Sequence, residues 1–203
     1  MDHKPRLCIH AVSPPDIPVA AWWEKTKELT GIIDYVHIRA PEWTKREKET
    51  AIDLALKEGT APEQLIINDE PELAAAYGLA GTHLPERRTI YPASVSWGQS
   101  IHSVEAAKKS EQEGASWLYF GHVFASDSKP GKPPNGARAL KAVAESVRLP
   151  VIAIGGIDAD KAAECINCRA AGVAAIAYFY DAAEPRKAAE ELRTRLRSDD
   201  NEG

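Results

Sequence analysis

This chain has little of what marks the specialised protein classes. Its three cysteines are an odd count, and Cys165 and Cys168, spaced C-x-x-C within a helical pattern, have no second ligand pair. A disulfide framework and a structural zinc site are therefore both disfavoured, and free thiols are expected. No apolar run approaches the roughly 18 residues of a membrane span. The longest runs are strand-sized, as at Val151 to Ile154. Basic residues are in deficit, 25 Lys and Arg against 30 Asp and Glu, for a formal net charge of −5. A sequence-independent grip on nucleic acid needs the opposite balance. The chain starts Met1-Asp2-His3-Lys4-Pro5-Arg6 and runs straight into a strand-like segment. No signal peptide is expected, and the cytoplasm is the expected location. Low-complexity segments and Pro/Gly/Ser linkers are missing as well.

What is present is an ordinary globular composition, 44% hydrophobic and 27% charged over 203 residues. That length suits one domain, 1–203, burying about 70% of its unfolded surface. A polar tail from about Ser198 is expected to fray. Short apolar runs alternate with amphipathic stretches along the whole chain. Strands are expected at 7–12, 33–38, 65–67, 81–84, 95–100, 117–120, 151–154 and 173–177. Helices are expected at 17–29, 44–58, 72–77, 103–113, 137–146, 158–168 and 184–197, with Thr44, Ser103 and Asp158 as N-caps. Strands and helices alternating at this spacing imply a parallel sheet with right-handed crossovers. Eight strands favour a closed (β/α)8 TIM barrel of the α/β class, with an open doubly wound sheet as the alternative.

A barrel's chemistry lies at the C-terminal ends of its strands. The most informative segment is Trp117-Leu118-Tyr119-Phe120-Gly121-His122-Val123-Phe124, a buried strand that stops at glycine and hands over to a histidine. A histidine exposed at a strand end and anchored from beneath suits proton transfer, and a solvated loop histidine is the alternative. Gly155-Gly156 after strand seven, with the backbone after strand eight, matches the usual phosphate position of barrels, although the pair also suits a plain tight turn. His83, His102 and His122 end three different strands, yet no recognisable metal-ligand set appears and no metal is expected. His10 and His37 lie within strands and read as lining residues. Arg39, in phase with His37, is placed to pair with a carboxylate or phosphate at the mouth.

Several of these segments also resemble a known family. Ser100-Ile101-His102-Ser103, Phe120-Gly121-His122-Val123-Phe124, Pro150 to Gly156 and Ala183-Glu184-Pro185, with His10-Ala11-Val12 and Val36-His37-Ile38-Arg39, resemble the thiamin phosphate synthase superfamily. Within it the glycine-histidine-valine-phenylalanine block is similar to the TenI-type thiazole tautomerases, since the synthases typically carry proline at the position of His122. The tautomerase resemblance implies an isomerase of thiamin biosynthesis, turning a carboxylated dihydrothiazole phosphate into its aromatic form without a cofactor. His122 would move the protons and a small phosphorylated thiazole would be the partner. Arg39, Gln99, Ser100 and Lys129 would bind the carboxylate or ring, and Gly155, Gly156, Ala177 and Tyr178 would hold the phosphate. A homo-oligomer stays open.

The synthase resemblance implies instead a transferase that joins a pyrimidine diphosphate to a thiazole phosphate, with magnesium held by two aspartates. Asp69 falls at the first of these positions, but the second is occupied by the stretch Pro85-Glu86-Arg87-Arg88. This departure ranks the transferase second at the level of sequence. Tyr178, where the family has a glycine, keeps a third reading open, a catalytically silent barrel that binds a phosphorylated ligand.

Overall fold

The computed structural model describes residues 7–126 and 131–200. Eight parallel strands close into a barrel in chain order: β1 (Cys8–Val12), β2 (Tyr35–Ile38), β3 (Leu65–Asn68), β4 (Gly81–Leu84), β5 (Trp97–Ile101), β6 (Trp117–Gly121), β7 (Val151–Ile154) and β8 (Gly172–Ala175). The ring shuts where β8 pairs with β1, Cys8 facing Gly172. Around it lie α1 (Val19–Leu29), α2 (Lys45–Lys57), α3 (Pro71–Tyr77), α4 (Val104–Gln112), α5 (Gly136–Ser146), α6 (Ala159–Asn167), the single turn α7 (Ala177–Tyr180) and α8 (Pro185–Asp200). β4 and β5 are joined by a loop with no helix.

The helix starts follow local chemistry. Thr44 and Glu47 form a reciprocal capping box at α2, and the side chains of Ser103 and Asp158 accept from Ala106 N (3.1 Å) and Lys161 N (2.9 Å). Each satisfies an N–H that the first helical turn leaves without a partner. α3 stops at Gly78, which adopts the left-handed conformation at φ +62°.

Strand parity divides the side chains into two cores. Ile9, Ala11, Val36, Ile38, Leu65, Ile67, Leu118, Phe120, Val151, Ala153 and Val173 face outward and pack under the helices. Inside, Val12, Tyr119, Ile152 and Ala174 form a second, small cluster. The N-terminal end of the barrel is filled by Trp117. A Cβ on Gly98 would lie 2.1 Å from its Nε1, and one on Gly81 2.7 Å from its ring, so both glycines make room for the indole. Buried Arg193 of α8 donates to Leu7 O and Ile32 O and pairs with Asp34, tying the last helix to the start of the sheet.

The main departure from the expected elements concerns strand eight. It ends at Ala175 rather than 177, and the aromatic run that follows is a helical turn. The reason is anchoring: Phe179 and Tyr180 are buried, and the Tyr180 hydroxyl donates to Thr26 Oγ1 at 2.9 Å. Lys25 Nζ bonds Tyr180 O and Ala182 O besides. The polar end is helical to Asp200, and 201–203 lie outside the described residues.

Candidate active site at the barrel mouth

His10, His37, His83 and Tyr119 occupy the barrel interior, each almost fully buried. His37 bonds Asn68 Oδ1 through Nε2, and its Nδ1 lies 3.0 Å from the Tyr119 hydroxyl. That hydroxyl is in turn 2.6 Å from His10 Nδ1. Because Asn68 Oδ1 can only accept, His37 carries its proton on Nε2. Tyr119 then donates to His37 Nδ1, and His10 Nδ1–H donates to Tyr119. His83 Nε2 lies 2.9 Å from Ser100 Oγ, and its Nδ1 has no partner. Burial holds these rings neutral. It lowers His10 to about 3, with His37 adding a smaller push, and lowers His37 to about 4. His83 is held well below the ordinary histidine value, again first by burial. Tyr119 is pushed well above its ordinary value for the same reason.

His122 stands above this layer. It is 5% exposed, and among the described residues neither ring nitrogen has a hydrogen-bond partner. Its backbone is fixed from both sides. Asn135 N donates to His122 O at 2.8 Å and Asn135 Nδ2 to Gly121 O at 2.7 Å, while Val123 N donates to Ile154 O at 3.1 Å. The anchor Asn135 went unnoticed in the sequence, where it reads as one more polar loop residue.

Gly155 and Gly156 have φ of +106° and +67°. A Cβ on Gly155 would lie 3.0 Å from His122 Cα, and one on Gly156 would lie 2.4 Å from Ala125 O. Both glycines therefore serve the close approach of the His122 loop to β7, the need that the plain tight-turn alternative also names. α7 begins beside them, and its first turn leaves the Ala177 and Tyr178 N–H groups without intrahelical acceptors. The Tyr178 ring is directed away from this turn, and its hydroxyl donates to Glu191 Oε2 of α8 at 3.0 Å. The tyrosine that stands where the family has a glycine is thus held by α8 through its hydroxyl.

The remaining expected residues separate. Arg39 is exposed just past the end of β2, and its charge adds a small downward push on His37 and His83 beside the larger effect of their burial. Ser100 faces inward, onto His83. Gln99 does not reach the mouth interior. One position away from Ser100 in β5, it points to the helix side, where Ser110 Oγ of α4 donates to its Oε1 at 2.8 Å. Its Nε2 donates to Pro85 O (3.1 Å), Glu86 O (3.4 Å) and Arg88 O (3.1 Å), so Gln99 is a strut under the β4–β5 loop. Lys129 lies outside the described residues. None of Cys8, Cys165 and Cys168 is in a disulfide, and burial pushes Cys165 up to about 12.

A magnesium ion held by Asp69 and Glu86 does not fit these side chains. Asp69 Oδ1 is 3.4 Å from Arg88 Nη1, and Glu86 is paired with His102, Oε2 to Nδ1 at 2.8 Å and Oε1 to the backbone N at 3.2 Å. Each carboxylate that would face a dication faces a basic side chain. Among the described residues no group of three or more His, Cys, Asp or Glu is arranged to hold a metal. None of the helices there is long and apolar enough to cross a membrane.

Residues 14–179 match the family profile described as thiamine monophosphate synthase. The chain belongs to this family. A thiamine-phosphate synthase of Thermus thermophilus is 31% identical over 204 residues, covering 94% of this chain and 97% of the relative. One of Chlorobium luteolum is 32% identical over 205 residues, covering 94% and 92%. The solved thiamine phosphate pyrophosphorylase of Pyrococcus furiosus superimposes with a TM-score of 0.77 at 26% identity, covering 95% of this chain and 96% of that one. These comparisons confirm the superfamily and the barrel, and they correct the reaction expected from the sequence. The relatives carry the name of a synthase, a transferase, so the isomerase reading built on the block around His122 is withdrawn. One residue at a strand end weighs less than a relationship that runs the length of the chain.

Proposed function

We propose that this protein is a group-transfer enzyme of the thiamine-phosphate synthase type, joining a pyrimidine diphosphate to a thiazole phosphate at the C-terminal mouth of the barrel. What supports the proposal is the placement of two sets of groups suited to anions at separate places around one mouth. The Gly155–Gly156 turn and the start of α7 lie at β7 and β8, while Arg39 and Arg88 lie at β2 and after β4. In a ring of eight strands β4 stands across from β8. Two separate regions suit two phosphorylated substrates, and the relationship to synthases over nearly the whole chain supports the same choice.

In this transfer the thiazole nitrogen forms a bond to the pyrimidine methylene carbon as the carbon–oxygen bond to diphosphate breaks. The electron pair leaves with the diphosphate, and no proton has to move. The protein's task is then positioning and stabilising a departing anion. The backbone N–H groups of Gly155, Gly156, Ala177 and Tyr178 receive the thiazole phosphate. Arg39 faces the diphosphate, and Ser100 and Lys129 remain proposed contacts. His122, whose two nitrogens have no partner among the described residues, makes a hydrogen bond to the bound ligand. The test is direct: the purified protein, given both substrates, should yield thiamine phosphate and free diphosphate. A folded protein that yields neither overturns the proposal.

A further inference from the structure

We propose that the Arg88 guanidinium takes the charge-neutralising place of a dication at this mouth, so that a diphosphate group is bound there without metal. The inference rests on the reading of the mouth as a diphosphate site, and it starts from the misfit between Asp69, Glu86 and magnesium. A cation already stands against Asp69, and it is delivered by a constrained loop. Arg88 N donates to Pro85 O at 2.9 Å, and the buried Gln99 amide holds the carbonyls of Pro85, Glu86 and Arg88 at once. Asp69 is equally fixed, its N–H donating to His83 O at 3.0 Å across the neighbouring strand.

The pair is oriented without being consumed. At 3.4 Å the contact is longer than the 2.7–2.9 Å usual for a charge-assisted hydrogen bond. The contact with Asp69 is made through Nη1, and among the described residues the buried Arg88 Nε has no hydrogen-bond partner. The guanidinium therefore keeps N–H donors for a second anion, and its planar fork matches two phosphate oxygens. Glu86, bound to His102 through both its oxygens, stays out of the way. A dication arriving here would meet the Arg88 charge before it met a free carboxylate.

The test is calorimetric titration of the full chain with inorganic pyrophosphate, once in EDTA and once in excess magnesium, and of magnesium alone. The expected result is the same pyrophosphate affinity in both buffers within about twofold, and no heat from magnesium alone. Arg88→Gln should weaken pyrophosphate by about tenfold or more, the loss of a charge-assisted contact, while its melting temperature stays near that of the parent. Arg88→Lys, which keeps the charge without the fork, should fall between the two. Pyrophosphate binding that requires magnesium, or that is unchanged in a folded Arg88→Gln protein, overturns the inference. The two proposals fail separately. Thiamine phosphate made only with magnesium sinks this one and leaves the transfer standing. Metal-free pyrophosphate binding that depends on Arg88, without any thiamine phosphate, sinks the transfer and leaves this one.

Discussion

The Tyr119 hydroxyl lies 2.6 Å from His10 Nδ1, at a depth in the barrel where each group is 3% exposed. It also serves His37 from the other side, at 3.0 Å. One oxygen thus satisfies two buried imidazoles, and burying polar rings without partners is costly. Tyr119→Phe keeps the shape and strands both nitrogens. The expected loss is about 1–3 kcal/mol of folding stability, the cost of an unsatisfied buried polar group. Urea denaturation of the two proteins at neutral pH measures it. A loss below about 0.5 kcal/mol, the range of ordinary surface changes, would show that the network is not structural.

The same rings make stability depend on pH. Unfolded histidine protonates near pH 6.5, whereas folded His10 and His37 are held down to about 3 and about 4. Below pH 6.5 the unfolded chain therefore takes up protons that the folded chain refuses. The stabilisation is complete above about pH 6.5 and is lost as pH falls through the acid range toward the folded values. Between about pH 6.5 and 5, where ordinary carboxylates stay ionised, the urea midpoint should fall, and the fall should be smaller in His10→Gln. A midpoint flat over that interval would mean that the rings do not sit neutral in the fold.

Gly156 links the fold to the proposed phosphate position. Its φ of +67° and the Ala125 carbonyl, 2.4 Å from where a Cβ would stand, both oppose a side chain, and a backbone atom cannot swing aside. Gly156→Ala should cost about 1–3 kcal/mol through backbone strain and should weaken binding of thiazole phosphate, since the His122 loop must shift. Thermal melts and titration with that ligand give the two readings. Unchanged affinity in the variant would remove this turn from the phosphate site.

Tyr178, by contrast, should matter little to the ligand. Its ring lies against α8 with its hydroxyl on Glu191. Tyr178→Phe should leave the affinity for thiazole phosphate within about twofold and lower stability by no more than the roughly 0.5–1.5 kcal/mol of one hydrogen bond. A tenfold change in affinity, in either direction, would place the ring in the site.

The barrel was legible because its elements follow rules that act locally. Apolar runs of strand length, the caps at Thr44, Ser103 and Asp158, and the glycines after helices each report on their own neighbourhood. The end of strand eight was set two residues late, at Ala177, because the turn that begins there is held by contacts from Lys25 and Thr26 to Tyr180, more than 150 positions away in the chain. Gln99 misled through register: one step from Ser100 reverses the face, and sequence alone did not fix which residue of the strand pointed inward. The Arg88–Asp69 pair was half visible, since two arginines beside Glu86 already argued against a dication, but which carboxylate they would face depends on the loop's path. Nothing local marked Tyr119 as the shared partner of two histidines from β1 and β2.

Every ligand role proposed for this mouth depends on the transfer itself. Incubating the protein with the pyrimidine diphosphate and thiazole phosphate, then quantifying thiamine phosphate and released diphosphate by chromatography against time, tests it most directly. Both products should appear together in equal amounts, at a rate that scales with protein. Diphosphate or thiamine phosphate at no more than the protein-free background, from a protein shown to be folded by circular dichroism, would contradict it.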